Sequence, residues 1–155
     1  MAQTITFQVY GTPRPGGSKT AFFNKKLGRA MVVDASGQPG KDWRTSVQAA
    51  AMEAYRGPLL QGPLDLFITF GLARPKSHYG TGRNADRLKP SAPPYPTKPP
   101  DTTKLVRALE DALTGILWRD DAQVVRQTVR KVYAAHGRRP GAVVTVETLG
   151  DFDAD

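Results

Sequence analysis

Apolar and polar positions alternate at the start of the chain. Ile5, Phe7 and Val9 are interleaved with Thr6, Gln8 and Tyr10, the period-two pattern of a half-buried strand. Gly11-Thr12-Pro13-Arg14-Pro15-Gly16-Gly17 breaks that pattern and predicts a mobile loop running on past Lys19, Lys25, Lys26 and Arg29. From Asp42 to Tyr55 the period lengthens. Trp43, Val47, Ala50, Ala51 and Ala54 recur at three- and four-residue steps, and Gly57-Pro58 closes an amphipathic helix whose alanines suit close packing on a sheet. Leu64, Leu66, Ile68 and Phe70 then alternate with Asp65, Phe67 and Thr69. Apolar residues on both faces predict a central strand. Between Pro90 and Pro100 six prolines forbid a helix interior or a central strand, so residues 74–100 read as an irregular loop. A loop of that length in a small domain points to function.

Beyond the prolines, Asp101 stands at an N-cap position. Leu105, Ala108, Leu109, Ala112 and Leu113 share one helical face until Gly115 ends the segment. Asp120-Asp121 predicts a turn into a strand from Val124 to Tyr133, with Arg126, Thr128 and Arg130 on one face. A last strand over 142–148 follows the turn at 136–141. Residues 1–150 are expected to form a single domain, and the acidic tail 151–155 is expected to be disordered.

The 155 residues carry 22 Lys+Arg against 14 Asp+Glu, a formal charge of +8. The charge is uneven: residues 1–100 hold 14 basic and 5 acidic side chains (+9), and residues 101–155 hold 8 and 9 (−1). A basic surface beside a carboxylate-rich region suits an enzyme that grips a polyanion and also binds a divalent cation; plain solubility is the alternative. There is no cysteine, which excludes disulfide frameworks, thiolate metal sites and cysteine nucleophiles. No apolar run reaches membrane-span length and the first residues lack a signal-peptide pattern, so a soluble cytoplasmic protein with no membrane contact is expected.

Phe22 and Phe23 among the loop cations suit anchoring of the loop to the core, with base stacking on nucleic acid as the alternative. Gly17-Ser18-Lys19 has the wrong order for a Walker A loop, which excludes an NTPase of that type. His78 and His136, far apart in loops, read as exposed polar residues. Asp101, Asp120 and Asp121 place carboxylates at a helix start and a strand entry, where separate elements can converge on magnesium, a hard ion satisfied by two or three carboxylates plus water and phosphate oxygens. An Asp N-cap and an Asp-Asp turn are also ordinary structural features, so spacing alone leaves both readings open.

The run from Lys98-Pro99-Pro100-Asp101-Thr102-Thr103-Lys104 through Leu113-Thr114-Gly115, followed by Trp118-Arg119-Asp120-Asp121-Ala122-Gln123-Val124-Val125, resembles the signature of the RusA family of Holliday junction resolvases. The resemblance implies a homodimeric α+β fold: a small mixed or antiparallel sheet of about four strands packed with two main helices. It also implies an endodeoxyribonuclease, dependent on Mg2+ or Mn2+, that nicks four-way DNA junctions symmetrically through metal-activated water. By the same resemblance the catalytic carboxylates are Asp101 and Asp121, with Asp120 beside them as a metal ligand. Arg107 takes the place of the family's basic residue, and Lys104 is a second candidate for contact with the scissile phosphate. Thr103 departs from the pattern by standing where a further carboxylate is expected. Asp111 either completes the ligand set or pairs with Arg107. Lys19, Lys25, Lys26, Arg126 and Arg130 are the expected contacts to flanking DNA phosphates. The rival reading is a junction-binding protein of the same fold whose catalysis is impaired. An RNA-binding protein would explain the charge but leave the Asp120-Asp121 turn without a role.

Overall fold

The chain builds one layer of sheet and one of helix from the alternations described above. In the computed structural model, which describes residues 2–16, 19–34 and 37–150, the elements are β1 (Thr4–Tyr10), β2 (Lys19–Asn24), β3 (Arg29–Asp34), α1 (Gly37–Ala54), β4 (Leu64–Leu72), α2 (Thr102–Leu113), β5 (Val124–Tyr133) and β6 (Gly141–Thr148). The main sheet has the order β1-β6-β4-β5. β6 runs antiparallel to both of its neighbours, and β4 and β5 are parallel. The α+β class, the four-stranded mixed sheet and the two helices agree with the expectation.

The pleat divides the sheet into two faces. Ile5, Phe7 and Val9 of β1, Val144 and Val146 of β6, and Leu64, Leu66, Ile68 and Phe70 of β4 are buried toward the helices. There they meet Trp43, Val47 and Ala51 of α1 and Leu105, Leu109, Ala112 and Leu113 of α2. The opposite face carries Thr6, Thr145, Phe67 and Thr128 across the four strands, and Phe67 is exposed there.

Two expectations need correction. The loop after β1 is interrupted by a hairpin: β2 and β3 pair antiparallel as a separate two-stranded sheet. Asn24 forms its turn, the side-chain Oδ1 accepting from the backbone N–H of Lys26 (3.0 Å) and Leu27 (3.1 Å). An Asx turn of this kind carries no hydrophobic period for a pattern to detect. The first helix also starts five residues early, at Gly37, because Pro39 falls in its first turn, where a missing N–H costs nothing. The 74–100 loop is irregular as expected apart from two short 3-10 turns, Lys76–His78 and Gly82–Asn84.

Gly141 opens β6 directly opposite Tyr10 of β1. A side-chain carbon there would fall 2.0 Å from the carbonyl oxygen of Val9, so only glycine lets the two strands meet at this point. The Gly141→Ala protein is expected to lose about 1–3 kcal/mol of stability, in the range of overpacked sites, measured as a lower denaturant midpoint with an unchanged slope.

Candidate active site

The apolar stripe of α2 decides which of its residues remain available for chemistry. With Leu105, Val106, Leu109, Ala112 and Leu113 buried, the residues at i, i+4 and i+7 from Thr103, namely Arg107 and Glu110, form a separate stripe. That stripe runs along β5. Gln127 of β5 donates a side-chain hydrogen bond to the Glu110 carboxylate. At the other end of the helix, Lys131 Nζ donates to the carbonyls of Lys98 (2.9 Å) and Pro100 (3.0 Å). The helix start is thereby tied to the far end of β5, and its third turn to the middle of the strand.

Asp101 occupies the N-cap position predicted for it, but its side chain makes no capping hydrogen bond and is exposed. The carboxylate is therefore free for another partner. Asp120 has a structural duty: its Oδ1 accepts from the Ala122 N–H at 2.9 Å in a capping box with Gln123. Asp121, the first residue of the short 3-10 turn, is exposed. Glu110, about half buried, has its pKa raised above the ordinary carboxylate value. Burial is the main cause, the Gln127 hydrogen bond opposes it, and the negative charge of Asp121 adds to it. Asp101 stands at the opposite end of the helix, about 13 Å along the axis from Glu110 at 1.5 Å per residue. Among the described residues no three acidic or histidine side chains gather where one ion would reach them all.

The remaining predicted residues divide between the two faces of the sheet. Arg107 and Lys104 are exposed on α2. The Lys104 carbonyl accepts from Gly16 N–H at 3.0 Å, and Gly16 lies so close to Ala108 that an added Cβ would meet the Ala108 Cβ at 2.9 Å. This lays the segment after β1 against α2. Asp111 does not pair with Arg107; it forms its ion pair with Arg44 of α1, because its helical position turns it toward the other helix. Arg126 and Arg130 belong to the face turned away from α2. Arg126 Nε reaches Asp65 Oδ2 at 2.7 Å and Arg130 Nε reaches Thr69 Oγ1 at 2.8 Å. Asp65 is fully buried, which holds the Arg126 guanidinium charged through a hydrogen bond and direct attraction. Lys25 and Lys26 sit exposed at the hairpin turn. Lys19 opens β2, and its side chain, with those of Phe22 and Phe23, lies outside the described residues. His78 and His136 are not simply exposed: His78 meets Tyr133 edge-on at 5.4 Å, and His136 lies 5.3 Å from the Tyr79 ring.

Three participants escaped the sequence reading: Glu110, Gln127 and Lys131. The spacing of Glu110 seven residues after Thr103 was a usable signal. The two β5 residues were not separable from their neighbours until α2 was seen to lie over the alternate positions of that strand.

Comparison with known proteins identifies the family. The family model described as endodeoxyribonuclease RusA matches residues 8–147. A Bacillus subtilis (strain 168) protein, the uncharacterized protein YqaN, is 27% identical over 138 residues, covering 86% of this chain and 91% of its own length. With its helix start at Asp101, its acidic turn at Asp120-Asp121 and a family match across nearly the whole fold, the chain belongs to the RusA endodeoxyribonuclease family.

Proposed function

We propose that the protein is a divalent-metal-dependent endonuclease that resolves four-way DNA junctions by paired nicks, acting as a homodimer, with its chemistry in the seam between α2 and β5. The observation that carries this reading is the family match over residues 8–147 on a chain of charge +8 that leaves Asp101 and Asp121 exposed at the helix start and at the entry to β5. A protein that grips a polyanion has reason to keep such carboxylates unpaired where a cation is to be bound.

The donor set fits magnesium or manganese in kind: hard carboxylate oxygens, with room for water and phosphate oxygens on an exposed surface. Asp121 and Glu110 would hold the ion, Asp120 would contribute through the oxygen not used in its cap, and Asp101, at the other end of the helix, would act on the same DNA strand without being a ligand to that ion. When bound, such an ion lowers the pKa of water and neutralises charge on a phosphodiester. The chain's own part is positional and electrostatic. Arg107, on the same stripe as Glu110, faces the extra negative charge of the transition state, with Lys104 one position round the helix from Thr103. Lys25 and Lys26 hold flanking phosphates from the hairpin turn, and Lys19 joins them from the same hairpin. Arg126 and Arg130 offer a second cationic surface on the opposite face, for another arm of the junction. Glu110 also answers the departure at Thr103 by supplying a carboxylate two helical turns further along the same stripe.

A second reading, a junction-binding protein with impaired catalysis, draws on that same Thr103. Introducing the missing carboxylate separates the two. On the nuclease reading the Thr103→Asp protein changes the cleavage rate by less than about tenfold, whereas a disabled enzyme would be silent until the substitution is made.

Asp101→Asn and Asp121→Asn are expected to reduce magnesium-dependent cutting of a synthetic four-way junction by roughly a hundredfold or more, within the range for loss of a catalytic electrostatic group. Binding in a gel-shift assay should stay within a few fold. Normal cutting rates in both proteins would remove these residues from the chemistry, and equal cutting of linear duplex would make the enzyme nonspecific. Asp111→Asn, by contrast, should leave the cleavage rate within about twofold, because an exposed ion pair between helices contributes at most about 1 kcal/mol to stability. A large loss of cutting in a folded Asp111→Asn protein would place that carboxylate back in the site.

A further inference from the structure

A cleft of about 860 Å³ opens beside the start of α2, between the segment after β1, the far ends of β4 and β5, and the proline-rich loop. One wall ends at Pro100, the residue before Asp101. Resting on the nuclease reading above, we infer that this cleft receives an unstacked nucleobase of the DNA strand being cut, with the neighbouring phosphates on Arg14 and Lys98.

Four observations support this assignment. The volume lies within the range of small-molecule pockets and exceeds what a nucleobase with its sugar requires. The walls are stiff and apolar: prolines dominate the lining, and Tyr133 presents an aromatic ring, the surface on which a base of any identity can stack. That ring is braced before any ligand arrives. The Arg74 guanidinium lies over it, 4.2 Å from the centroid, and His78 meets it at 90°. Arg74 is itself held by the Pro93 carbonyl at 2.8 Å and by His78 Nδ1 at 3.2 Å. Finally, Arg14 and Lys98 are exposed cations in a lining that contains no carboxylate, so the cleft accepts the charge of a phosphate backbone. Its position decides which base is meant. A group seated against Pro100 lies beside Asp101 at the helix start, and Glu110 stands about 13 Å further along the axis, so the captured base sits about two nucleotides from the proposed metal seam on the same strand. Holding that base out of the stack would fix the strand at the cut.

Photocrosslinking of the full chain to a four-way junction tests this. The junction carries 5-iodouracil at successive positions around the point of strand exchange and is irradiated in EDTA so that nothing is cut; the crosslinked peptides are identified by mass spectrometry. A parallel sample with magnesium reports cleavage. The expected result is attachment at the peptide containing Tyr133 or His78 from a single nucleotide position. The yield should fall roughly tenfold in the Arg14→Ala/Lys98→Ala protein, in line with the loss of two phosphate contacts, with its circular dichroism unchanged. Attachment only at other surfaces by a protein that cuts junctions would overturn the cleft assignment and leave the nuclease reading standing. Attachment at Tyr133 without cutting by the magnesium sample would sustain the cleft and defeat the nuclease reading. Neither attachment there nor cutting would defeat both.

Discussion

One side-chain amide holds the acidic turn in place. Gln123 Oε1 accepts from the backbone N–H groups of Arg119 and Asp120, both at 3.0 Å, while its Nε2 donates to the carbonyls of Leu60 and Gly62, also at 3.0 Å. Nearly all the hydrogen-bonding capacity of the amide is used, and it joins the turn before β5 to the chain entering β4. Asp121 follows Asp120 directly, so its position relative to α2 is inherited from this clamp. A carboxylate on an unanchored turn would spread over many conformations, and binding an ion or a phosphate would then cost the entropy of ordering it.

The other end of the seam is fixed by charge. Lys131 directs its ammonium at the carbonyls of Lys98 and Pro100, turning the proline-rich loop into the start of α2 at a defined point. The two anchors lie on the same strand, one at its entry and one near its end. The helix between them is held by fully buried leucines at 105, 109 and 113. The geometry of the seam therefore depends on ordinary core packing plus two polar clamps, and the exposed residues on the stripe are left to chemistry. The sheet gives its opposite face a different character. There the buried Asp65 is compensated by Arg126, an arrangement that constrains the arginine as much as it satisfies the acid.

Much of this could be read from the amino-acid order alone. Period-two alternation located β1, β4 and β6, each of which has one face in the core; β5, which buries no residue fully, was read from its alternating cations, and the helical period located α2 closely because its apolar stripe is uninterrupted. The hairpin β2–β3 was missed because it lies outside the main sheet and lacks the alternation that burial imposes. The carboxylates at 101, 120 and 121 were expected to converge, but among the described residues they do not gather as one group. A backbone cap at Asp120 and a free side chain at Asp101 depend on local dihedral angles that residue identity does not determine. The partner of Asp111 was misjudged for a related reason: spacing within one helix cannot reveal a cation on another, and Arg44 is 67 positions away. Glu110 had a visible spacing, but its hydrogen bond from Gln127 is a long-range fact about how α2 lies on β5.

The chain pairs a net charge of +8 with exposed carboxylates at Asp101 and Asp121; in the proposed reading the cations hold DNA and the carboxylates act on it. The most direct measurement is the anomalous scattering of a crystal soaked in manganese. A peak bonded to the Asp121 carboxylate, with Glu110 as a further ligand, is expected in the seam between α2 and β5. A saturating soak that leaves this seam without a peak, with manganese bound only elsewhere, would contradict it.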